Sequence, residues 1–76
     1  MLAIKIGLIG AGRMATALGR GFVGAKLVTP AALVASDPQE AARAAFDHDV
    51  PGAKLLAENG PDFKACDVVI LAVPPY

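Results

Sequence analysis

Residues 7–18 read GLIGAGRMATAL, an apolar run broken by glycines at positions 7, 10 and 12 and followed by small residues and an arginine. Upstream, Ile4, Ile6, Leu8 and Ile9 form a short apolar run that stops at Gly10, which predicts a buried strand. Downstream, Met14, Leu18 and Phe22 recur at helical spacing while Arg13, Thr16 and Arg20 fall on another face, which predicts a helix with that apolar set in the core. Gly10, Gly12 and Ala15 thus occupy the G-x-G-x-x-[G/A] spacing directly between strand and helix. In a dinucleotide-binding turn each has a mechanical task. Gly10 permits the tight turn, Gly12 lets the backbone touch a pyrophosphate, and Ala15 keeps the helix close to the strand. The free N–H groups at the helix start then offer partial positive charge to an anion. The alternative is a tight strand-to-helix connection that binds nothing.

Arg13 stands at the positive end of this helix, where the macrodipole opposes a cation by roughly 0.3–1 kcal/mol. A phosphate sharing the space would account for it, and so would a solvated arginine on the polar face. Gly19, Gly21 and Gly24 each cost about 1 kcal/mol against alanine in a helix interior, which predicts close packing against a sheet or another backbone.

After the Thr29–Pro30 break, Leu33 to Ala35 read as a second strand and SDPQEAARAAF (36–46) opens a second helix. There Asp37 can cap, Pro38 suits the first helical position, and Glu40 completes a capping box. Residues 47–52 read as a loop, Lys54 to Leu56 as a third strand, and Pro61 to Ala65 as a helical turn. DVVILAV (67–73) reads as a fourth strand apolar on both faces. Strands alternating with helices predict an α/β architecture, a partial Rossmann fold with a parallel sheet of order 3-2-1-4 and helices on both faces. The cofactor is then expected across the carboxyl ends of strands one and four. Asp37, roughly 25 residues past the glycines, is placed to meet the adenosine ribose hydroxyls, a role compatible with the capping one. Its charge would repel a 2′-phosphate and favour NADH over NADPH, unless Arg43 compensates.

The chain has 76 residues, seven basic and seven acidic, with 55% hydrophobic composition. That size predicts one small domain, a dinucleotide-binding unit over residues 1–76, and the apolar content predicts a packed interior. Balanced charge without a basic cluster argues against nucleic acid or an anionic membrane as partner. Lys5 and the glycines beyond it argue against a secretory signal, and no stretch reaches the length of a membrane span. Cys66 is the single cysteine, which suits a reducing cytoplasm. His48 and Cys66 each stand without a catalytic partner and read as a loop histidine and a packed thiol, and Asp47 and Asp49 read as a solvated stretch rather than a metal site. No catalytic residue and no metal ligand is proposed.

Four places resemble the amino-terminal part of pyrroline-5-carboxylate reductase: IGAGRMATAL (9–18), ASDP (35–38), Asn59 and DVVILAVPPY (67–76). That family reduces a cyclic imine to proline in proline biosynthesis, using a nicotinamide dinucleotide, commonly NADPH. The resemblance implies that Ile9, Gly10, Ala11, Gly12, Arg13 and Met14 hold the pyrophosphate. It implies that Asp37 and Asn59 meet the adenosine ribose and its phosphate, and that Ala72, Val73 and Pro75 border the cofactor near the nicotinamide. Two departures stand out. Pro74 replaces a lysine of the family's last motif, and Asp37 stands where family members often carry a small hydroxyl or amide residue.

Dehydrogenases of the 6-phosphogluconate and hydroxyisobutyrate type share the glycine loop, so a β-hydroxyacid dehydrogenase is an alternative. A nucleotide-sensing regulatory module is another. The family's chemistry also requires a helical carboxy-terminal half that completes the active site and the dimer. Its absence predicts no turnover by these 76 residues alone. The fourth strand is expected to be an exposed apolar edge, covered by self-association or by such a domain.

Overall fold

A computed structural model describes residues 4–72. The order is β1 (Ile6–Ile9), α1 (Arg13–Gly24), a 3-10 turn (Pro30–Ala32), β2 (Leu33–Ser36), α2 (Glu40–Asp49), β3 (Lys54–Leu56), a second 3-10 turn (Pro61–Ala65) and β4 (Val68–Leu71). The strands form one parallel sheet of order β3-β2-β1-β4, the order read from the sequence. Central β1 pairs with β2 from Ile6↔Leu33 to Ile9↔Ser36 and with β4 from Ile6↔Val68 to Ile9↔Leu71. Parallel pairing gathers the carboxyl ends of all the strands at one end of the sheet, where the glycine loop leaves β1.

Alternation along the strands puts Ile6, Leu8, Leu33 and Ala35 on one face, and these enter the core with Ala15, Val28, Phe46 and Val50. Phe46, Leu8, Leu33 and Val28 are the largest side chains wholly removed from water. α1 and α2 close over this face. Gly7 points the other way, and there the second 3-10 turn descends on the sheet. A Cβ placed on Gly7 would lie 2.8 Å from Phe63 Cδ1 and 3.0 Å from Cys66 Sγ.

The buried face of α1 differs from the expected one. Ala15 and Gly19 are buried, with Leu18, Phe22 and Val23 packed partly against the core, whereas Met14, expected inside, is 54% exposed. Small residues set the contact because they let the helix come close: a Cβ on Gly19 would sit 3.1 Å from Phe46 Cζ. Gly21 and Gly24, for which close packing was also expected, face open space. α1 then closes with Lys26 in the left-handed region at φ 59°. Lys26 N–H donates to the Val23 carbonyl and Leu27 N–H to that of Phe22, which satisfies two orphan carbonyls.

α2 begins at Glu40 with Gln39 at the capping position and no side-chain cap, so neither the expected Asp37 cap nor the capping box forms. Asp37 turns its carboxylate elsewhere, as described below. The helix runs on through Asp47, His48 and Asp49, a stretch expected as loop, because buried Phe46 anchors its last turns and accepts the Val50 N–H at 2.8 Å. β2 extends one residue further than expected, to Ser36.

β4 is shorter than its apolar run: Asp67 stays outside, its carboxylate accepting the Lys5 N–H at 2.8 Å, and Val73 lies outside the described residues. Val68, Val69 and Leu71 along β4 are exposed. Among the described residues no helix is long and apolar enough to cross a membrane.

Candidate functional site

The site is built where β1 gives way to α1. Gly10 takes φ 110°, a conformation that a Cβ would strain, and its N–H donates to the Ser36 carbonyl at 2.7 Å. The turn is thereby tied to the end of β2. Ala11 N–H next donates to Asp37 Oδ2 at 3.1 Å, while Gln39 N–H donates to Oδ1 at 2.9 Å. One carboxylate thus joins the glycine loop to the β2–α2 connection. An aspartate that accepts from the residue two positions on is stabilising a local turn, which explains its absence from the helix cap.

Gly12 is the capping residue of α1, with φ −80°, ψ −158° and no side-chain cap. A Cβ on it would meet nothing within 4 Å. The space beside Gly12 is therefore open, at the end of α1 where the first N–H groups have no partner inside the helix.

On one side of the loop lies a cleft of about 280 Å³ at the carboxyl ends of β1, β2 and β3, lined by Ile9, Gly10, Ser36, Asp37, Pro38 and Asn59 among others. Ser36 is buried, and its hydroxyl donates to the side-chain oxygen of exposed Asn59. On the other side, Ala11, Gly12 and Arg13 join Thr16 and Arg20 along a depression of about 320 Å³ between α1 and α2.

The expected pyrophosphate and ribose residues are thus divided by the loop backbone. Ile9, Gly10, Asp37 and Asn59 share the first space, and Ala11, Gly12 and Arg13 border the second. Met14 lines neither. Ala72 is buried and donates its N–H to the Ile9 carbonyl at 2.9 Å, so the carboxyl end of β4 adjoins that of β1. Val73, Pro74 and Pro75 lie outside the described residues. Arg43 lines a separate depression with Glu40, Asp47 and Leu55, apart from the Asp37 cleft.

Ser36 was not singled out in the sequence, where it reads only as the residue preceding Asp37. Its signal was faint, a hydroxyl closing an otherwise apolar strand. His48 sits exposed in the last turn of α2, with Nδ1 3.1 Å from Asp49 Oδ1. Burial pushes the Cys66 thiol above its ordinary value, Lys5 opposes this, and Asp67 and Asp62 add to it. A thiol so held stays protonated at neutral pH and is a poor nucleophile.

A carboxylate and an amide beside a bare helix start form a donor and acceptor set suited to a nucleotide: N–H groups for phosphate oxygens, and Asp37 with Asn59 for sugar hydroxyls. A family model described as "NADP oxidoreductase coenzyme F420-dependent" matches residues 5–76. The chain is 36% identical over 73 residues to pyrroline-5-carboxylate reductase 2 of Macaca fascicularis, an alignment covering 96% of this chain and 23% of that protein. It is 39% identical over 74 residues to pyrroline-5-carboxylate reductase of Methanosarcina acetivorans, covering 93% of this chain and 26% of that one. The chain therefore spans about a quarter of the length of these curated relatives, and is similar to their amino-terminal domain.

Proposed function

This chain belongs to the family described as NADP oxidoreductase coenzyme F420-dependent, and on that premise we propose that residues 1–76 are the dinucleotide-binding domain of a pyrroline-5-carboxylate reductase-like enzyme. The observation that carries this reading is Gly12: a bare backbone at the start of α1, with open space where a side chain would stand, beside a cleft holding Asp37 and Asn59. Gly10, Ala11, Gly12 and Arg13, with Ile9 and Met14 flanking them, would hold the pyrophosphate. Asp37 and Asn59 would hold the adenosine ribose, and Ala72, Val73 and Pro75 would border the nicotinamide end. When bound, the cofactor supplies a hydride for an imine carbon. This chain's own part is to bind and orient, since none of its residues is assigned as acid, base or nucleophile.

The carboxylate of Asp37 sets the expected cofactor. It would accept from the ribose hydroxyls and repel a 2′-phosphate, and Arg43 borders a different depression from Asp37, so we assign a preference for NADH. Calorimetric titration with NADH and NADPH tests both the binding and the preference. The chain is expected to bind NADH more tightly, and Asp37→Ser is expected to move the ratio toward NADPH by about tenfold, the equivalent of ~1.4 kcal/mol of relieved repulsion. An unchanged ratio would remove Asp37 from the ribose.

The imine-reducing activity belongs to a longer polypeptide. Assayed alone for proline formation, residues 1–76 are expected to give no turnover above buffer, and measurable activity would overturn the division of labour proposed here. The exposed β4 edge is the surface we assign to a second copy or to a carboxy-terminal domain. The balanced charge and single cysteine support a cytoplasmic setting.

A further inference from the structure

Ser36 has an unusual combination of burial and chemistry. It is 4% exposed and is the buried polar residue among an otherwise apolar set of the described residues. Both of its outward-reaching oxygens are committed at the cleft: the carbonyl accepts the Gly10 N–H at 2.7 Å, and the hydroxyl donates to Asn59 Oδ1. A hydroxyl withdrawn from water needs a partner, and this one finds it 23 residues along the chain, in the segment that follows β3.

That bond constrains Asn59 in a specific way. Asn59 is exposed at the rim, where a side-chain amide is otherwise free to rotate and to present either its oxygen or its nitrogen. With the oxygen engaged by Ser36, the amide nitrogen is the group left for a ligand, and among the described residues it makes no hydrogen bond. Across the same cleft Asp37 contributes only acceptors. The two side chains therefore offer a donor and an acceptor, the complement of a sugar hydroxyl, which can accept from one and donate to the other.

We propose that Ser36 is a positioning residue for cofactor recognition: its buried hydroxyl fixes the Asn59 amide so that the nitrogen donates to the adenosine ribose. Ser36 does not touch the ligand. The inference rests on the cleft being the nucleotide site proposed above. It adds that recognition at Asn59 is set from beneath by the end of β2. Fixing the amide before binding removes an ordering cost from association, so the contribution is one of pre-organisation.

The test is titration of NADH into the chain and into Ser36→Ala, Ser36→Thr, Asn59→Ala, Asn59→Asp and the Ser36→Ala/Asn59→Ala double variant, with thermal melts alongside. Loss of one positioned hydrogen bond predicts that Ser36→Ala and Asn59→Ala each weaken NADH about five- to tenfold. Because both remove the same contact, the double variant is expected to bind no worse than Asn59→Ala alone. Ser36→Thr keeps the hydroxyl and is expected to restore most of the affinity. Asn59→Asp keeps the oxygen that Ser36 donates to but removes the nitrogen, and should lose at least as much as Asn59→Ala. It alters an exposed residue and leaves the core untouched, so it remains decisive even if a substitution at Ser36 impairs folding.

Wild-type binding that is indifferent to Asn59→Asp overturns this inference and leaves the dinucleotide site standing, and so do losses from Ser36→Ala and Asn59→Ala that simply multiply. A wild-type chain that binds neither NADH nor NADPH overturns the site itself, and this inference with it.

Discussion

Replacing Gly12 with valine is expected to abolish measurable dinucleotide binding while leaving the fold intact. The two glycines of the loop differ in why they must be glycine. Gly10 adopts φ 110°, so the backbone itself requires it. Gly12, at φ −80°, has a conformation open to any residue, and an added Cβ would touch nothing within 4 Å. Among the described residues nothing demands its bareness. On the proposed reading a ligand does, because branched carbons here would stand where phosphate oxygens are to approach the first N–H groups of α1. Each charge-assisted hydrogen bond lost is worth about 1.5–3 kcal/mol, so two of them predict a fall in NADH affinity of at least about 100-fold. Valine is also a poorer capping residue than glycine, which predicts only a small fall in melting temperature, of a few degrees. Titration and melting of the same sample separate the two effects. Unimpaired NADH binding by Gly12→Val would place the pyrophosphate elsewhere and remove the main support for the proposed function.

Gly7→Val is expected to act in the opposite sense, on the fold and not by contact with a ligand. Gly7 is buried in the middle of central β1, and its missing side chain is occupied by neighbours: Phe63 Cδ1 and Cε1 at 2.8 and 2.9 Å and Cys66 Sγ at 3.0 Å from where a Cβ would lie. The second 3-10 turn rests on this gap. Alanine would push the Phe63 ring back, while valine would lift the turn from the sheet. Overpacking of this kind costs about 1–3 kcal/mol, and valine at so tight a contact belongs at the upper end. For a domain of this size about 3 kcal/mol corresponds to a melting point roughly 12–24 °C lower, readable by circular dichroism. Phe63→Ala introduced beside Gly7→Val should recover part of the loss, since it removes the atoms in conflict. A Gly7→Val chain that melts with the wild type would mean that the 3-10 turn does not bear on β1.

These two glycines also mark how far the chain could be read before folding. The strand order was legible because the glycine spacing falls between an apolar run and a helical period, and because continuous apolar strands demand a parallel sheet. Gly7 precedes the motif and has no local sign of its role, since the ring that fills its space lies in a turn far along the sequence. Met14 was misplaced for a related reason. A search for bulky apolar residues at helical spacing selects Met14, whereas α1 is seated through Ala15 and Gly19, whose smallness allows the helix to approach Phe46.

Asp37 was read as a helix cap, a role it does not take, although it does line the cleft beside the glycine loop. The competing partner, the Ala11 N–H, is a backbone group that no composition or period reveals. Ser36 stayed hidden because its partner Asn59 comes into reach only after β3 has been added to the sheet.

The pairing of β1 with β4 has a consequence for the order of events in folding. Ile6 lies beside Val68, so the first of the four strands in sequence waits for the fourth. Contacts this distant in sequence close slowly, because much of the intervening chain must be ordered before they form. During synthesis β1 can gain its β2 neighbour early, yet it remains open along its other flank until residues 68–71 emerge. The glycine loop hangs from the carboxyl end of that same strand, and Ala72 reaches it only through β4. The first of the four strands is therefore among the last to gain both of its neighbours, and the proposed nucleotide site is not framed until residues 68–72 have emerged.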